Sequence, residues 1–237
     1  MKIGILRPAG SGFGNKSWQR PVLCKTMDVR FLEDMKKVLS DKKWAKNAPN
    51  FELYYMERGL KKKKGLTPLE VPAKGGAVAS GDLLLTGLRY DITTIPPRML
   101  GKEFVKTKGH EHLGDFGEIY IVLEGQGIYL MQKYKKGKIE DVYAIKARKG
   151  NVIVIPPYYG HVTINPSKRT LKTANWMAEK CKSCYDLFEK KQGACYYFTK
   201  SGWIKNKNYK NVPKLRFEKP LKKLPKAGFA SLKATSC

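Results

Sequence analysis

The stretch TKGHEHLGDFGEIYIVLEGQG, residues 107–127, contains two of the three histidines of this 237-residue chain, His110 and His112. Side chains two positions apart on a β-strand project to the same face, so the two imidazoles can approach one point. Glu118 begins the apolar run that follows them and shares a strand face with Tyr120. The stretch therefore predicts strands that bring two imidazoles and a carboxylate together.

The third histidine, His161, lies between the segment VIVIPPYYG and the strand-like segment VTIN. Inside a β-barrel, separate strands can direct three imidazoles and one carboxylate to a common centre. Imidazole binds iron, nickel, zinc and copper, and a carboxylate favours Mn²⁺ or Fe²⁺. We therefore predict a divalent metal site whose four protein ligands leave one or two positions open for a substrate. The predicted ligands are His110, His112, Glu118 and His161.

The segments around this stretch have the pattern of β-strands. Residues 118–134 form two apolar runs separated by the sequence EGQG, which is the signal of a β-hairpin. Residues 82–95 alternate apolar and polar side chains, and residues 135–165 contain further short strands separated by Gly and Pro. Many short strands at close spacing are typical of an all-β barrel or jelly roll. We therefore predict a mainly β fold.

The residues before the barrel are predicted to form a helix, a strand and a loop. Within residues 28–41 apolar side chains recur at helical spacing, and Asp28 is a suitable N-cap for that helix. Residues 50–59 alternate as a strand does. Residues 60–81 collect Lys, Pro and Gly and are expected to form an exposed basic loop.

The strand pattern stops after Asn175. Residues 177–192, MAEKCKSCYDLFEKKQ, are compatible with a helix, and the Lys- and Pro-rich residues that follow are expected to wrap around the barrel as an extended segment. We expect three segments within one structural domain. They are an N-terminal segment (1–81), the barrel (82–178) and a basic C-terminal extension (179–237).

The composition is that of a globular protein, with 42% hydrophobic and 11% aromatic residues. No apolar run reaches the roughly 18 residues of a membrane span, and the first apolar stretch is too short for a secretory signal. We therefore expect a cytoplasmic protein. The net charge of +27 attracts anions, either nucleic acid or a phosphorylated metabolite. Lys outnumbers Arg and is spread along the chain, which argues against nucleic acid, and a generally basic composition is the simpler explanation.

The five cysteines do not have the spacing of a complete zinc site. Cys181 and Cys184 form one Cys-x-x-Cys, whereas a structural zinc site needs a second such pair. The other cysteines are Cys24, Cys195 and Cys237. An odd number of cysteines also argues against a secreted disulfide framework, so we expect ordinary thiols.

The order of these residues resembles the two sequence motifs of the cupin family. The first, His-x-His followed by Glu and then Gly, matches His110, His112, Glu118 and Gly125. The second, Gly-Pro-His-Asn with fixed intervals, matches Gly150, Pro156, His161 and Asn165. The interval between His112 and Glu118 is one residue longer than in most cupins. The resemblance implies a double-stranded β-helix, that is, a jelly-roll barrel, here with an N-terminal helix and a C-terminal extension.

Within the cupins, the segments GKEFVKTKGHEH, EIYIVLEGQGIYLMQ and GNVIVIPPYYGHVTIN resemble the archaeal cupin-type phosphoglucose isomerases. The resemblance is strong over residues 82–165 and traceable upstream in residues 30–35. It implies that glucose 6-phosphate and fructose 6-phosphate are interconverted on one divalent metal ion per subunit. Fe²⁺ is the first expectation, with Mn²⁺, Ni²⁺ or Zn²⁺ as alternatives. The family also implies a homodimer.

The resemblance assigns substrate contacts around the four metal ligands. It implies a phosphate pocket that includes Thr93, Thr107 and Gly109, and sugar-site walls formed by Tyr120 and Tyr158. Lys106 and Lys108 flank Thr107, and for both lysines we expect a solvated basic face.

The segment that closes over the substrate in the family departs from its pattern in this chain. The family has Tyr-Pro-Ala-Asp followed by His-Asp-Tyr, and the corresponding stretch here is MAEKCKSCYD. Tyr185 is retained as a substrate contact, Met177 stands at the first Tyr, and the His position falls near Ser183. Lys180 or Lys182 could replace the missing positive charge.

Two mechanisms are compatible with this resemblance. Glu118 is the carboxylate nearest both metal and substrate, so we expect it to act as the general base that moves a proton between C1 and C2. In the alternative, Glu118 is only a ligand and a hydride shifts directly. Other functions that stay open are a mannose 6-phosphate isomerase, a metal-dependent oxygenase, and a non-enzymatic cupin that binds sugars or nucleic acid.

Overall fold

The computed structural model describes residues 27–60, residues 87–225 and Leu232. The predicted loop from residue 61 to 81 lies outside the described residues, as do Cys24 and Cys237. Among the helices in the described ranges, none is long and apolar enough to cross a membrane.

Short strands are the commonest regular elements of the described chain. They are β1 (Met27–Phe31), β2 (Glu52–Glu57), β3 (Leu88–Ile95), β4 (Met99–Leu100), β5 (Glu103–Phe104), β6 (Glu111–His112), β7 (Glu118–Glu124), β8 (Gln126–Lys135), β9 (Lys138–Arg148), β10 (Val152–Ile155), β11 (Gly160–Ile164), β12 (Leu171–Ala178), β13 (Ser183–Cys184), β14 (Tyr196–Thr199), β15 (Gly202–Lys205) and β16 (Arg216–Glu218). The helices are α1 (Leu32–Met35), a 3₁₀ turn (Lys36–Val38), α2 (Lys42–Asn47) and α3 (Asp186–Lys190).

Two larger sheets form the barrel. The first has the strand order β1-β2-β3-β12-β7-β10 and the second has the order β11-β8-β9-β16. Ile95 and Val122 from the first sheet and Leu130 and Ile145 from the second are buried in one core cluster. Two sheets that share one core in this way are the arrangement of a jelly-roll barrel. The prediction of a mainly β barrel is confirmed.

The first sheet is covered on both faces. Successive side chains of β7 alternate between faces, so Tyr120 lies in the barrel core while Ile119 and Ile121 lie in a second apolar cluster. Leu232 is buried in that second cluster and Leu224 packs against it. Leu224 and Leu232 therefore cover part of the outer face of the sheet.

The hairpin predicted within residues 118–134 is wrong. The strand β7 pairs with β10 and β12 in the first sheet, whereas β8 pairs with β9 and β11 in the second. The chain changes sheets at Gly125, whose φ is +73°. A Cβ at this position would lie 2.3 Å from the Thr170 carbonyl oxygen. The Gly-rich turn therefore serves a barrel corner, which has the same local signal as a hairpin turn.

The helix predicted for residues 28–41 is confirmed only over residues 32–38, as α1 and the 3₁₀ turn. Residues 27–31 form β1, which pairs antiparallel with β2, and only the four residues of α1 are α-helical before the 3₁₀ turn. Asp28 lies within β1 and accepts hydrogen bonds from Arg30 and Arg58, and the N-cap of α1 is Phe31. Pairing with β2 satisfies the backbone of residues 27–31, and this tertiary contact outweighs the helical spacing of the apolar residues.

The strand pattern does not stop at Asn175. The strand β12 continues to Ala178, and the helical part of the next segment is restricted to α3. The strand β13 then pairs with β6, β14 and β15 pair with each other, and β16 runs parallel to β9. Pairing of β12 with both β3 and β7 extends the strand beyond what alternation indicated. The division into segments 1–81, 82–178 and 179–237 stays a prediction.

Candidate metal centre and substrate pocket

His110 and His161 lie opposite each other on paired backbone segments. The N–H of His161 donates to the carbonyl of His110 at 2.9 Å, and the N–H of His110 donates to the carbonyl of His161 at 3.3 Å. Directly opposed residues of an antiparallel pair project to the same face. Their ring centroids are 4.4 Å apart. Backbone pairing thus brings together two imidazoles that are 51 positions apart in the sequence.

His112 reaches the same centre from β6. Its Nδ1 lies 3.0 Å from the carbonyl oxygen of Phe116. A carbonyl only accepts, so we assign a proton to Nδ1. This hydrogen bond orients the ring and turns Nε2 to within 3.3 Å of Oε2 of Glu118. In metal-binding histidines the ring nitrogen that does not bind the metal commonly donates its N–H to a carbonyl or a carboxylate.

Glu118 is the first residue of β7 and its side chain is buried. Its Oε2 lies 3.2 Å from Nε2 of His161. Its Oε1 accepts a hydrogen bond of 2.6 Å from Nδ2 of Asn175. The two oxygens of this carboxylate therefore have different surroundings.

The four predicted ligands fit a metal ion. One ligand atom from each of His110, His112, Glu118 and His161 lies within 4.8 Å of the other three. Ligand distances of about 2.0–2.2 Å to a metal separate neighbouring donor atoms by about 3 Å, close to the 3.2 and 3.3 Å between Glu118 and its two histidine neighbours. Oε2 of Glu118 and Nε2 of His112 face each other, are buried, and have no well-aligned hydrogen bond among the described residues. A divalent cation would satisfy such a donor set.

The protonation of the centre also suits a cation. Burial and the repulsion of His161 hold the pKa of His110 well below its usual value. Burial opposes ionisation of Glu118, but the close imidazoles of His112 and His161 hold its pKa well below the usual range. Burial would lower the pKa of His112, and the close carboxylate of Glu118 raises it instead. Metal ligands bind in their deprotonated forms, so a metal at this centre would compete with protons.

Five of the predicted substrate contacts line one pocket beside this centre. They are Thr93, Thr107, Gly109, Tyr120 and Tyr185. The pocket also contains His110, Glu118 and His161. The structure therefore brings together residues that come from separate parts of the sequence.

Tyr158 does not line this pocket. Its side chain is 60% exposed and its φ is +67° in the turn before β11. The neighbouring Tyr159 is the residue that packs inward, with its hydroxyl donating to Asp141 at 2.7 Å. Neither tyrosine of this turn lines the pocket, and the role of Tyr158 as a sugar-site wall stays a prediction.

The four lysines near the predicted substrate contacts have different environments. Lys106 is buried and pairs with Glu103 at 2.6 Å, so the expectation of a solvated face is wrong for Lys106. Lys108 lines the pocket and pairs with Glu189 at 2.5 Å. Lys180 and Lys182 are exposed and do not line it.

Sequence reasoning missed Asn175 and Arg58, which both line the pocket. The strand β12 aligns Asn175 with Tyr120 of β7, and this register brings the amide to Glu118. Arg58 follows β2 and pairs with Asp28 at 3.0 Å and Asp91 at 3.3 Å. A polar residue at an inward position of a strand was the available signal for Asn175.

The positions at which this chain departs from the family pattern also line the pocket. Met177 and Ser183 are both among the lining residues, and the ring of Tyr185 lies 5.7 Å from that of His110. The three thiols described, Cys181, Cys184 and Cys195, are free. The altered closing segment is therefore part of the pocket wall.

Comparison with known proteins identifies the family. The sequence model of the glucose-6-phosphate isomerase (GPI) family matches residues 71–214, which is more than half of the chain. The chain belongs to the glucose-6-phosphate isomerase family. Its similarity to a phosphoglucose isomerase, inferred from the motifs around His110 and His161, is confirmed.

Several archaeal glucose-6-phosphate isomerases are similar to this chain. The chain is 32% identical over 129 residues to the glucose-6-phosphate isomerase of Pyrococcus furiosus, covering 52% of this chain and 64% of the relative. It is 33% identical over 139 residues to that of Pyrococcus abyssi, covering 58% and 62%. It is 40% identical over 79 residues to that of Thermococcus gammatolerans, covering 33% and 40%. The matched part thus spans less than two thirds of each of these relatives.

Among solved structures, the chain is similar to an oxalate oxidase with a TM-score of 0.32 and 20% identity, covering 38% of this chain and 41% of that one. A likeness of this size adds nothing to the assignment to the glucose-6-phosphate isomerase family.

Proposed function

We propose that this protein is a metal-dependent aldose–ketose isomerase that interconverts glucose 6-phosphate and fructose 6-phosphate. The observation that carries the proposal is the cluster of His110, His112, Glu118 and His161, three of which line the pocket, in a chain of the glucose-6-phosphate isomerase family. An aldose–ketose isomerase must move hydrogen between C1 and C2, where oxyanion character develops. A cation beside the two sugar oxygens stabilises that charge.

The residues of the centre would hold Fe²⁺, with Mn²⁺, Ni²⁺ or Zn²⁺ as alternatives. Three imidazoles and one carboxylate accept each of these ions, and the hard carboxylate oxygen favours Fe²⁺ and Mn²⁺ over softer ions. When bound, the metal would supply Lewis-acid polarisation of the C1 and C2 oxygens. Metal analysis of protein purified without chelators or a nickel column would identify the ion.

The phosphate group is proposed to bind on the side of the pocket formed by Thr93, Thr107 and Gly109. The hydroxyl of Thr107 accepts the N–H of Thr163 at 3.0 Å, which leaves its own proton free to be donated. Lys108 adds positive charge at the same side of the pocket. A fixed phosphate would hold C1 and C2 near the four ligands and reduce the entropic part of the barrier.

Tyr120 and Tyr185 are proposed to contact the sugar. Burial raises the pKa of Tyr120 well above its usual value, and the charge of Glu118 raises it further, so its hydroxyl stays protonated. This hydroxyl lies 3.2 Å from Nε2 of His161. A neutral phenol in this position can donate a hydrogen bond to a sugar oxygen.

The surroundings of Glu118 favour the ligand role over the role of general base. Its Oε1 is engaged by Asn175 and its Oε2 faces two histidines, so neither oxygen is free to accept a proton from the substrate. The reaction in D₂O separates the two mechanisms. Proton transfer through an exchangeable base places deuterium on the product carbon, whereas a direct hydride shift does not.

The function is tested by incubating the protein with fructose 6-phosphate and coupling glucose 6-phosphate formation to its dehydrogenase. We expect activity that EDTA abolishes and that a divalent metal restores. Turnover of mannose 6-phosphate in place of fructose 6-phosphate would replace the proposal with another sugar-phosphate isomerase. Salt-sensitive nucleic-acid binding without turnover would contradict it.

A matched pair of variants tests the phosphate site. Loss of a charge-assisted contact of about 1.5–3 kcal/mol corresponds to a KM increase of about 10- to 100-fold, which we expect for Lys108→Met. The exposed Lys182→Met should leave KM unchanged. Equal effects of both variants would mean that general charge, and not this pocket, attracts the substrate. A homodimeric state and a cytoplasmic location stay predictions.

A further inference from the structure

We propose that Asn175 is the positioning residue of the metal centre, which holds Glu118 so that only one carboxylate oxygen is presented to the metal. The inference rests on the metal site of the proposed function and goes beyond it. It concerns a residue that belongs to neither cupin motif and that lies 57 positions after Glu118 in the sequence.

The two oxygens of the Glu118 carboxylate have different partners. Oε1 of Glu118 accepts the amide of Asn175 at 2.6 Å. Oε2 lies 3.3 Å from His112 and 3.2 Å from His161 and has no hydrogen-bond partner among the described residues. The amide therefore occupies one oxygen and leaves the other directed at the remaining ligands.

The second step is that Asn175 has little freedom to adapt. It lies within β12, where its backbone pairs with Asp91 of β3 on one side and with Tyr120 of β7 on the other. Its side chain is buried, at 4% exposure. With the backbone fixed on both sides, only two side-chain torsions remain, and burial restricts them. An ionised carboxylate accepts and never donates, so the NH₂ group of the amide must face Glu118.

The third step concerns the number of open coordination positions. A carboxylate can bind a metal through one oxygen or through both. The hydrogen bond from Asn175 competes with the metal for Oε1, which favours binding through Oε2 alone. Four single-atom ligands then leave two positions of an octahedral ion, enough for two neighbouring sugar oxygens. Binding through both oxygens of Glu118 would leave one.

The test compares Mn²⁺ affinity, measured by titration of the electron paramagnetic resonance signal of the free ion, in the parent protein and in Asn175→Leu and Asn175→Ser. Loss of a hydrogen-bond partner of a metal ligand weakens metal binding by about 10- to 100-fold, and we expect that loss in both variants. Mn²⁺ binding as tight as in the parent by either folded variant would overturn the proposal.

Thr173→Val is the matched control. Thr173 lies two residues earlier on β12, and its buried hydroxyl donates to the carbonyl of Ile121 at 3.1 Å without contacting Glu118. This variant removes a buried donor from the same strand, so it reports the general effect of such a loss. Mn²⁺ affinity should be unchanged in Thr173→Val. An equal weakening there would assign the effect to the strand and overturn the role of the amide.

A measurement on the parent protein decides the case in which the Asn175 variants do not fold. Infrared difference spectra on Mn²⁺ binding report the carboxylate stretches, whose asymmetric and symmetric bands lie far apart for one-oxygen binding and close together for two-oxygen binding. Glu118→Gln assigns the bands. We expect the asymmetric and symmetric stretching bands of Glu118 to lie far apart. Closely spaced bands would mean that both oxygens bind the metal and would contradict the proposal. Neither metal measurement uses substrate, so failure of the isomerase assay would leave this inference standing, and the reverse also holds.

Discussion

Two buried polar clusters of this protein differ in the group that the chain places beside their carboxylate. In the ion-pair cluster, Oε2 of Glu103 lies 2.6 Å from Nζ of Lys106, and Oε1 accepts the N–H of Ser40. Nζ of Lys106 also donates to the carbonyl of Val38 at 2.9 Å and lies 4.7 Å from the ring centre of Tyr197. In the metal centre, the partners of the Glu118 carboxylate are instead the imidazoles of His112 and His161 and the amide of Asn175.

This difference separates a structural role from a functional one. A buried carboxylate is costly unless an opposite charge and hydrogen bonds compensate it. In the ion-pair cluster the ammonium group of Lys106 compensates Glu103 and ties the 3₁₀ turn to the strand β5 and its neighbours. In the metal centre a bound cation would take that part. The two clusters should therefore respond oppositely to mutation and to metal.

The largest expected effect is the loss of stability when the ion-pair cluster is broken by mutation. Removing one partner of a buried ion pair leaves the other charge uncompensated and costs about 3–5 kcal/mol. We therefore expect Glu103→Gln to lower the free energy of unfolding, measured with urea, by that amount both with EDTA and with metal. The double variant Glu103→Gln/Lys106→Met should recover most of the loss.

A surface pair provides the control for this prediction. Lys133 and Glu140 lie 3.5 Å apart and are each about one third exposed. Glu140→Gln should cost no more than about 1 kcal/mol. Similar losses for Glu103→Gln and Glu140→Gln would show that burial does not distinguish these pairs.

The second prediction concerns metal and sharpens the contrast. A ligand at about 100 times its Kd stabilises the folded state by about 2.7 kcal/mol, which corresponds to a rise in Tm of roughly 5–10 °C for a chain of this size. We expect this rise in the parent protein and in Glu103→Gln, and none in His161→Gln. Differential scanning calorimetry with and without Mn²⁺ measures it. An undiminished rise in His161→Gln would mean that the cation binds elsewhere.

These contrasts show which parts of the site could be predicted from the sequence. His110 and His112 were predictable as ligands because side chains two positions apart on a strand share one face. His161 was predictable because it is the only other histidine of the chain. The mainly β fold followed from short alternating runs. Both inferences use intervals of a few residues within single strands.

The remaining features depend on which distant strands pair. The contact of Asn175 with Glu118 needs the register of β12 against β7, and the burial of Lys106 needs Glu103 together with the Val38 carbonyl. The strand β1 forms because β2 provides hydrogen-bond partners for its backbone N–H and C=O groups. No local pattern contains such pairings, and this is why a helix was predicted for residues 28–41 and a solvated face for Lys106.

The third prediction concerns Gly109, which directly precedes the first ligand. Its φ is +84°, and a Cβ would lie 2.6 Å from the ring of Phe188 and 2.7 Å from Cγ2 of Val162. Backbone strain and overpacking each cost about 1–3 kcal/mol. Gly137 also has a φ of +84°, but a Cβ there meets nothing within 4 Å. Gly109→Ala should therefore lose more stability than Gly137→Ala.

The same pair of variants separates strain from damage to the centre. In Gly109→Ala the added methyl group should clash with Phe188 and displace the neighbouring His110. The Mn²⁺-induced rise in Tm should therefore shrink in Gly109→Ala and persist in Gly137→Ala. If both variants kept the full rise, the close packing at Gly109 would not position the metal ligand.

The smallest expected effect comes from an exposed pair that tests whether pairing alone, without burial, stabilises the fold. Asp141 accepts hydrogen bonds from Arg216 of β16, and this contact lowers the pKa of Asp141 in the folded state. A lowered carboxyl pKa stabilises the protein above the unfolded pKa of about 3.9, and the stabilisation is lost as pH falls through the folded pKa.

Both side chains are partly exposed, so Arg216→Gln should cost only about 0.2–1 kcal/mol at pH 7. Urea unfolding of parent and variant should show that gap at pH 7 and its closure as Asp141 is protonated. A loss as large as that of Glu103→Gln would show that solvent exposure does not weaken this pair. A loss that persisted in acid would show that Arg216 stabilises β16 through something other than the charge of Asp141.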